Sequence, residues 1–151
     1  MTAPARSRQQ RWKDTLHRLE NDVDVWVATA DPDGTPYLVP LSFLWDGDTL
    51  LLATLATSPT GRNLRDTGRV RLGIGLTRDV VLVDGTVETL TPDDLPDGVG
   101  DAFAAKTGFD PRRSTGSYSY FRVRPRRVQA WREEDEIAGR DLVRDGRRIV
   151  D

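Results

Sequence analysis

The fold is most tightly constrained between Asp48 and Leu76, where the chain reads strand, short helix, strand. DTLLLATLAT is apolar and rich in Leu and Thr, as a buried strand requires. In SPTGRNLRDTG, Ser58 suits a helix N-cap and Pro59 the first helical position, where its missing N–H costs nothing. Gly68 then stops the helix after barely two turns, and RVRLGIGL is the next strand. Ser58, Thr60, Arg62 and Asn63 gather hydroxyls, an amide, a guanidinium and backbone N–H groups around one helix start. That collection suits a phosphate or carboxylate, and it equally suits an ordinary capped connector with a solvated Arg.

The flanking sequence is built of the same material. Residues 1–6 read as a tail, and Trp12, Leu16 and Leu19 fall at helical spacing between Ser7 and Asn21. VDVWVATA and TPYLVPLSFLW form a hairpin across a Pro-Asp-Gly turn. Pro40, in the middle of the second strand, removes a ladder donor. It belongs at a bulge or an unpaired edge, where it either opens space for a flat ligand or protects the edge. Asp46-Gly47 turns into the third strand. Gly73 and Gly75 share one face of the fourth, clearing a channel for a ligand or for close packing. DVVLVDGTVETL is a long fifth strand that bends at Gly85. Thr91 to Asp94 caps a second helix reaching about Lys106, and the loop TGFDPRRSTGS has no periodicity. YSYFRVRPRRVQAW is the last strand, its register broken at Pro125, and residues 132–151 form either a docked arm or a marginal helix. Six strands with short inserted helices and no βαβ alternation predict a mainly β (α+β) fold, a six-stranded antiparallel barrel in one domain spanning residues 1–151.

Composition removes several chemistries. The chain has no cysteine and a single histidine, His17, in a polar helical segment. Thiolate catalysis, Ser-His-Asp triads and multi-His zinc sites are excluded, and no metal site is expected. A net charge of −2 gives no reason to expect nucleic-acid binding. Arg122, Arg124, Arg126 and Arg127 nevertheless cluster, either as a solvated face or as an anion-receiving surface. No apolar run approaches the ~20 residues of a membrane helix. The N-terminus lacks a signal-peptide core, which predicts a cytoplasmic protein.

Four separated segments, VWVATADPDGTPYLVPLSFLWDGDTLLLAT, SPTGRNLRDTGRVRLGI, DVVLVDGTVE and FRVRPRRVQAW, resemble in order and spacing the pyridoxamine 5′-phosphate oxidase-like split β-barrel family. The resemblance implies a homodimer with cofactor sites at its interface, each holding flavin mononucleotide (FMN), the deazaflavin coenzyme F420 or, more rarely, haem. It places the cofactor ring against Val39, Pro40, Leu41 and Thr54, and the phosphate near Thr57, Ser58, Thr60, Arg62 and Asn63. Many members carry a Lys where this chain has Thr60, so Arg62 or Arg71 has to supply the charge. Counterparts of the catalytic Arg and His of the vitamin B6 oxidases are missing, and no catalytic residue is assigned.

Hydride transfer asks the protein chiefly to hold the cofactor against its substrate, which agrees with a chain lacking His and Cys candidates. The reading is an F420-dependent, alternatively FMN-dependent, reductase acting on a small unsaturated compound. The competing reading is a non-catalytic protein that binds, stores or carries the same cofactor. The lone imidazole makes haem the weakest option.

Overall fold

The computed structural model describes residues 4–150. Helix α1 (Arg8–Asn21) begins where the Ser7 hydroxyl accepts the Gln10 N–H, and it lays Thr15 and Leu19 onto the core. Strands β1 (Asp24–Ala30), β2 (Pro36–Trp45) and β3 (Leu50–Leu55) follow as a meander. The Asp46 carboxylate shapes the second turn by accepting the N–H groups of Asp48 and Thr49. After α2 (Pro59–Thr67), β4 (Arg69–Leu76) and β5 (Asp79–Leu90) form a hairpin. Helix α3 (Val99–Thr107) leads to β6 (Tyr118–Trp131), and β7 (Asp141–Arg144) and β8 (Arg147–Arg148) complete the order.

The sheet runs β3-β2-β1-β4-β5-β6, antiparallel throughout, and β6 pairs back onto β3. This closes a six-stranded barrel, as the sequence predicts, and β7 and β8 extend it outside the ring. Alternate residues of each strand fill the interior, among them Val25, Val27, Phe43, Leu52, Leu72 and Val123, all nearly inaccessible. Closure needs strands that bend. At Gly85 the ladder slips, so that Gly85 faces Pro125 while Asp84 faces Arg127, leaving Arg126 as the extra residue of a bulge. A Cβ on Gly85 would lie 2.6 Å from Val123 Cγ1, so only glycine fits.

Of the two roles expected for Gly73 and Gly75, a ligand channel or close packing, the structure shows close packing, and only at Gly75. Gly73 sits in ordinary contact distance of Leu82 and Trp26, and Gly75 has a positive φ at the mouth of the β4–β5 turn, beneath the Arg18 guanidinium. Neither clears a space for a ligand. The segment after Trp131 takes the docked-arm form, with β7 pairing onto β6, and no α-helix forms there. His17 is exposed and meets Asn21 one turn on.

The N-terminal segment is held by charge. Residues 1–3 lie outside the described residues, but Arg6 donates from its backbone N–H and its guanidinium to the Glu136 carboxylate, at 2.8–3.1 Å, and to Asp14 at 2.9 Å. Buried Arg11 donates to the Ala130 and Glu136 carbonyls. Hydrogen bonds from Arg6 hold the Glu136 carboxyl at a pKa of about 2, overcoming the opposing effect of burial. Because the folded pKa is depressed, this stabilisation is complete above the ordinary Glu value of about 4.3 and is lost as pH falls from there through about 2. Glu136→Gln is expected to cost about 3–5 kcal/mol at pH 7, the range for leaving one partner of a buried pair behind. Urea unfolding should show that deficit shrinking towards pH 3, where the parent is losing the same interaction.

Candidate functional site

Strand β3 has two partners, and it changes from one to the other. Only Phe43, Leu44 and Trp45 of β2 pair with it, whereas all six of its residues from Leu50 to Leu55 pair with β6. Beyond Ser42 the two strands therefore part. Pro40 stands in that open half, opposite Trp26 in an unbroken β1–β2 register, so it lies on a strand edge and not at a bulge. The Phe43 N–H points to Val23 across β1. Alternation then turns the Ser42 and Leu38 N–H groups and the Pro40 carbonyl to the opposite side, where β3 has left. The missing proline N–H costs nothing there.

The gap is a cleft of about 420 Å³, within the roughly 300–1,000 Å³ usual for small-molecule sites. Pro40, Leu41 and Ser42 form one wall and Ala53 and Thr54 the other. Phe103 and Thr107 of α3, with Phe109 and Tyr118 of the following loop and strand, close its outer side. The Phe109 and Tyr118 rings touch, 5.2 Å between centroids. Asp24 accepts a 2.7 Å hydrogen bond from the Ser42 hydroxyl at the rim. Behind the cleft Tyr120 is fully buried and packs edge-on to Phe103; burial pushes its phenol pKa up, and its hydroxyl lacks a partner among the described residues.

Past Thr54 the chain runs directly into α2. The Ser58 hydroxyl accepts the Gly61 N–H and donates to the Leu55 carbonyl. Pro59 has no N–H and Arg62 N–H bonds to the Ser58 carbonyl, so among the described residues the Thr60 N–H is the first-turn donor without a partner. The Arg62 guanidinium folds back to the Thr57 carbonyl at 2.7 Å.

The structure thus brings Pro40, Leu41 and Thr54 together in one cleft and puts Thr57, Ser58, Thr60 and Arg62 at the adjoining helix start. The other three residues point elsewhere. Val39, packed like Leu41 against the core, does not border the cleft, and Asn63 is buried with its amide donating to Thr29. Arg71 lies across β1 from β2, facing Ala28, and forks onto Asp84 in a separate outer groove. Of the arginines on β6, Arg122 faces Glu88 and Arg127 meets Asp141, while Arg124 and Arg126 border a cavity on the side of the β2–β3 turn. Sequence reasoning missed Phe103, Phe109 and Tyr118 as cleft residues. Two aromatics flanking an aperiodic Gly-rich loop were the available signal.

The sequence profile of the pyridoxamine 5′-phosphate oxidase family matches residues 15–132. The chain belongs to this family. Solved structures agree on the barrel. An F420 reductase superposes with a TM-score of 0.60 at 23% identity, covering 74% of this chain and 93% of its own. A protein of unknown function from Agrobacterium tumefaciens reaches 0.71 at 18% identity over 93% of this chain, which spans 64% of that protein. An FMN-binding, pyridoxamine 5′-phosphate oxidase-related protein from Nostoc punctiforme gives 0.55 at 15% identity, with 86% of each chain covered. No curated protein matches the sequence. Members of this family bind flavin-type cofactors, FMN or F420. Among the described residues no helix is long and apolar enough to cross a membrane, and no cluster of metal-ligating side chains forms.

Gly61 seats the helix start: a Cβ there would collide with the Leu55 carbonyl oxygen. Gly61→Ala is therefore expected to lower stability by about 1–3 kcal/mol, read by thermal melting, because backbone cannot swing aside as a side chain can.

Proposed function

We propose that this protein is a reductase dependent on a flavin-type cofactor, F420 in preference to FMN, acting on a small unsaturated compound. The observation that carries the reading is the cleft at Pro40, a slot bounded by a strand edge, whose Thr54 wall leads along the chain into a helix start. Leu38 and Ser42 N–H groups and the Pro40 carbonyl would meet the polar edge of a heteroaromatic ring, and Leu41, Ala53 and Thr54 its faces. When bound, such a cofactor supplies hydride transfer to an electron-poor double bond. Tyr118, Phe109 and Phe103 would exclude water and position an apolar substrate against it.

The charge at the helix start favours the deazaflavin. With Thr60 in place of a lysine, the anion would meet the Thr60 N–H and, once it leaves the Thr57 carbonyl, the Arg62 fork. One donor and one guanidinium suit the singly charged phosphodiester of F420 better than the doubly charged phosphate of FMN.

A homodimer is part of the proposal. Trp26, 53% exposed, and Leu38, 61% exposed, share an outer face with Pro40 on two adjacent strands. An apolar patch containing an aromatic of this size is costly to leave in water, and a two-fold interface is the commonest way to cover it. Pro40 belongs to both the patch and the cleft, so a partner seated on Trp26 would border the cofactor.

The decisive experiment is titration of the purified protein with F420 and with FMN, followed by turnover assays on ene and quinone substrates. Tighter F420 binding with substrate reduction is the expected result; tight binding without turnover would instead identify a carrier. Arg62→Ala should weaken cofactor affinity by about 1–3 kcal/mol in a variant that still folds. Trp26→Lys should convert a dimer of this chain to monomer in sedimentation at micromolar concentration. A parent that sediments as a monomer and binds at full affinity would remove the shared site.

A further inference from the structure

A second cavity, of about 280 Å³, lies between α1, the β2–β3 turn and the β7–β8 hairpin, and shares no residue with the cleft. Trp45 on its wall is five residues from Pro40 along β2, about 17 Å at ~3.3 Å per residue. Its interior is apolar, with Trp12 and Trp45 beside Leu50, Val83, Val128 and Val143. Its mouth is the opposite. Arg124, Arg126 and Arg148 converge there from β6 and β8, against one carboxylate, Asp48.

Among the described residues, only one of these guanidinium groups has a counter-charge within reach. Arg124 stands 3.7 Å from Asp48, a long contact. Arg148 rests over the Trp12 ring at 4.7 Å, and neither it nor Arg126 forms an ion pair among the described residues. Two features of the backbone bring Arg126 to this position. The bulge opposite Gly85 makes it the unpaired residue of β6, and Gly146 makes room for its side chain, since a Cβ there would lie 2.6 Å from Nη1. In a chain of net charge −2, three arginines against one aspartate at the rim of an apolar pocket are an unbalanced positive site.

We infer that this cavity binds a small aryl carboxylate, its ring between the two tryptophans and aliphatic side chains and its carboxylate on the forks of Arg126 and Arg148. The planar guanidinium pairs with a carboxylate through two parallel hydrogen bonds, and indole walls favour a flat ring over a flexible chain. A single carboxylate is the complement that leaves Asp48 tolerable at the mouth; a doubly charged phosphate would face it at closer electrostatic cost. The site is independent of the cofactor reading, because it lies at the other end of β2.

Titration with phenylacetate tests this, with 2-phenylethanol as the uncharged control and the indole N–H resonances of Trp12 and Trp45 as the readout. Saturable shifts of both resonances by phenylacetate are expected, with 2-phenylethanol at least tenfold weaker. Arg126→Gln and Arg148→Gln, both at exposed positions, should each weaken phenylacetate at least tenfold while leaving the melting temperature near that of the parent. Equal binding of acid and alcohol would reduce the site to a greasy pocket and overturn the proposal. So would the absence of saturation, or shifts confined to the resonances of Thr54 and Tyr118 in the cleft.

Discussion

The cleft at Pro40 and the helix start beyond it follow from the double pairing of β3. A six-stranded sheet closes only if its two edge strands pair with each other, and here the six residues of β3 are shared unequally, three pairs with β2 and six with β6. Antiparallel pairing with β6 runs to Leu55, so closure is secured along the whole strand. The consequence falls on β2, whose first half keeps only β1. A strand left with one partner must present its remaining N–H and C=O groups to something else, and the cleft at Pro40 is where it does so. Helix α3 and the loop after it lie across the same gap and convert an open strand edge into an enclosed slot.

Much of this was legible in the residues. Turn chemistry and apolar runs locate all six barrel strands, and Gly85 and Pro125 mark the bulge from opposite sides of one ladder. Pro40 also declares a bulge or an unpaired edge, because a residue without an N–H is tolerated only where no acceptor waits for it, and the unbroken β1–β2 register decides for the edge. What could not be read was pairing between distant segments. Of the two readings of Gly73 and Gly75, ligand channel or close packing, the second holds at Gly75 alone, because period two gives the face of a strand but not what lies over it. Trp26 and Leu82 flank the first, and the β4–β5 turn claims the second. Arg71 is spoken for by Asp84, thirteen residues on, a cross-strand contact that only the register reveals. Phe109 and Tyr118 reach the cleft through a loop whose course no local rule predicts.

Charge does a different job at each end of the barrel. At the N-terminal segment Arg6, Asp14, Asp79, Arg132 and Glu136 form a connected network with both signs present, and it fastens α1 to the segment after β6. Asp141 plays the same part for the terminal hairpin. Burial opposes ionisation of its carboxyl, yet hydrogen bonds from Arg144, Gln129 and Arg127 prevail and leave its pKa at about 2. Balanced networks of this kind hold elements together. An unbalanced group of arginines, as at the mouth of the second cavity, holds nothing by itself and is poised to take a counter-charge from outside.

The short hairpin that ends the sheet has one more effect. A closed barrel has no free margin, but adding β7 and β8 outside the ring creates one, and exposed margins recruit strands from other molecules. Here the outermost strand is two residues long, Arg147 and Arg148, both exposed and both cationic. A second chain approaching that border would find too little backbone to pair with and like charge opposing it. The domain can therefore carry an extra hairpin to wall a cavity without becoming a template for its own aggregation.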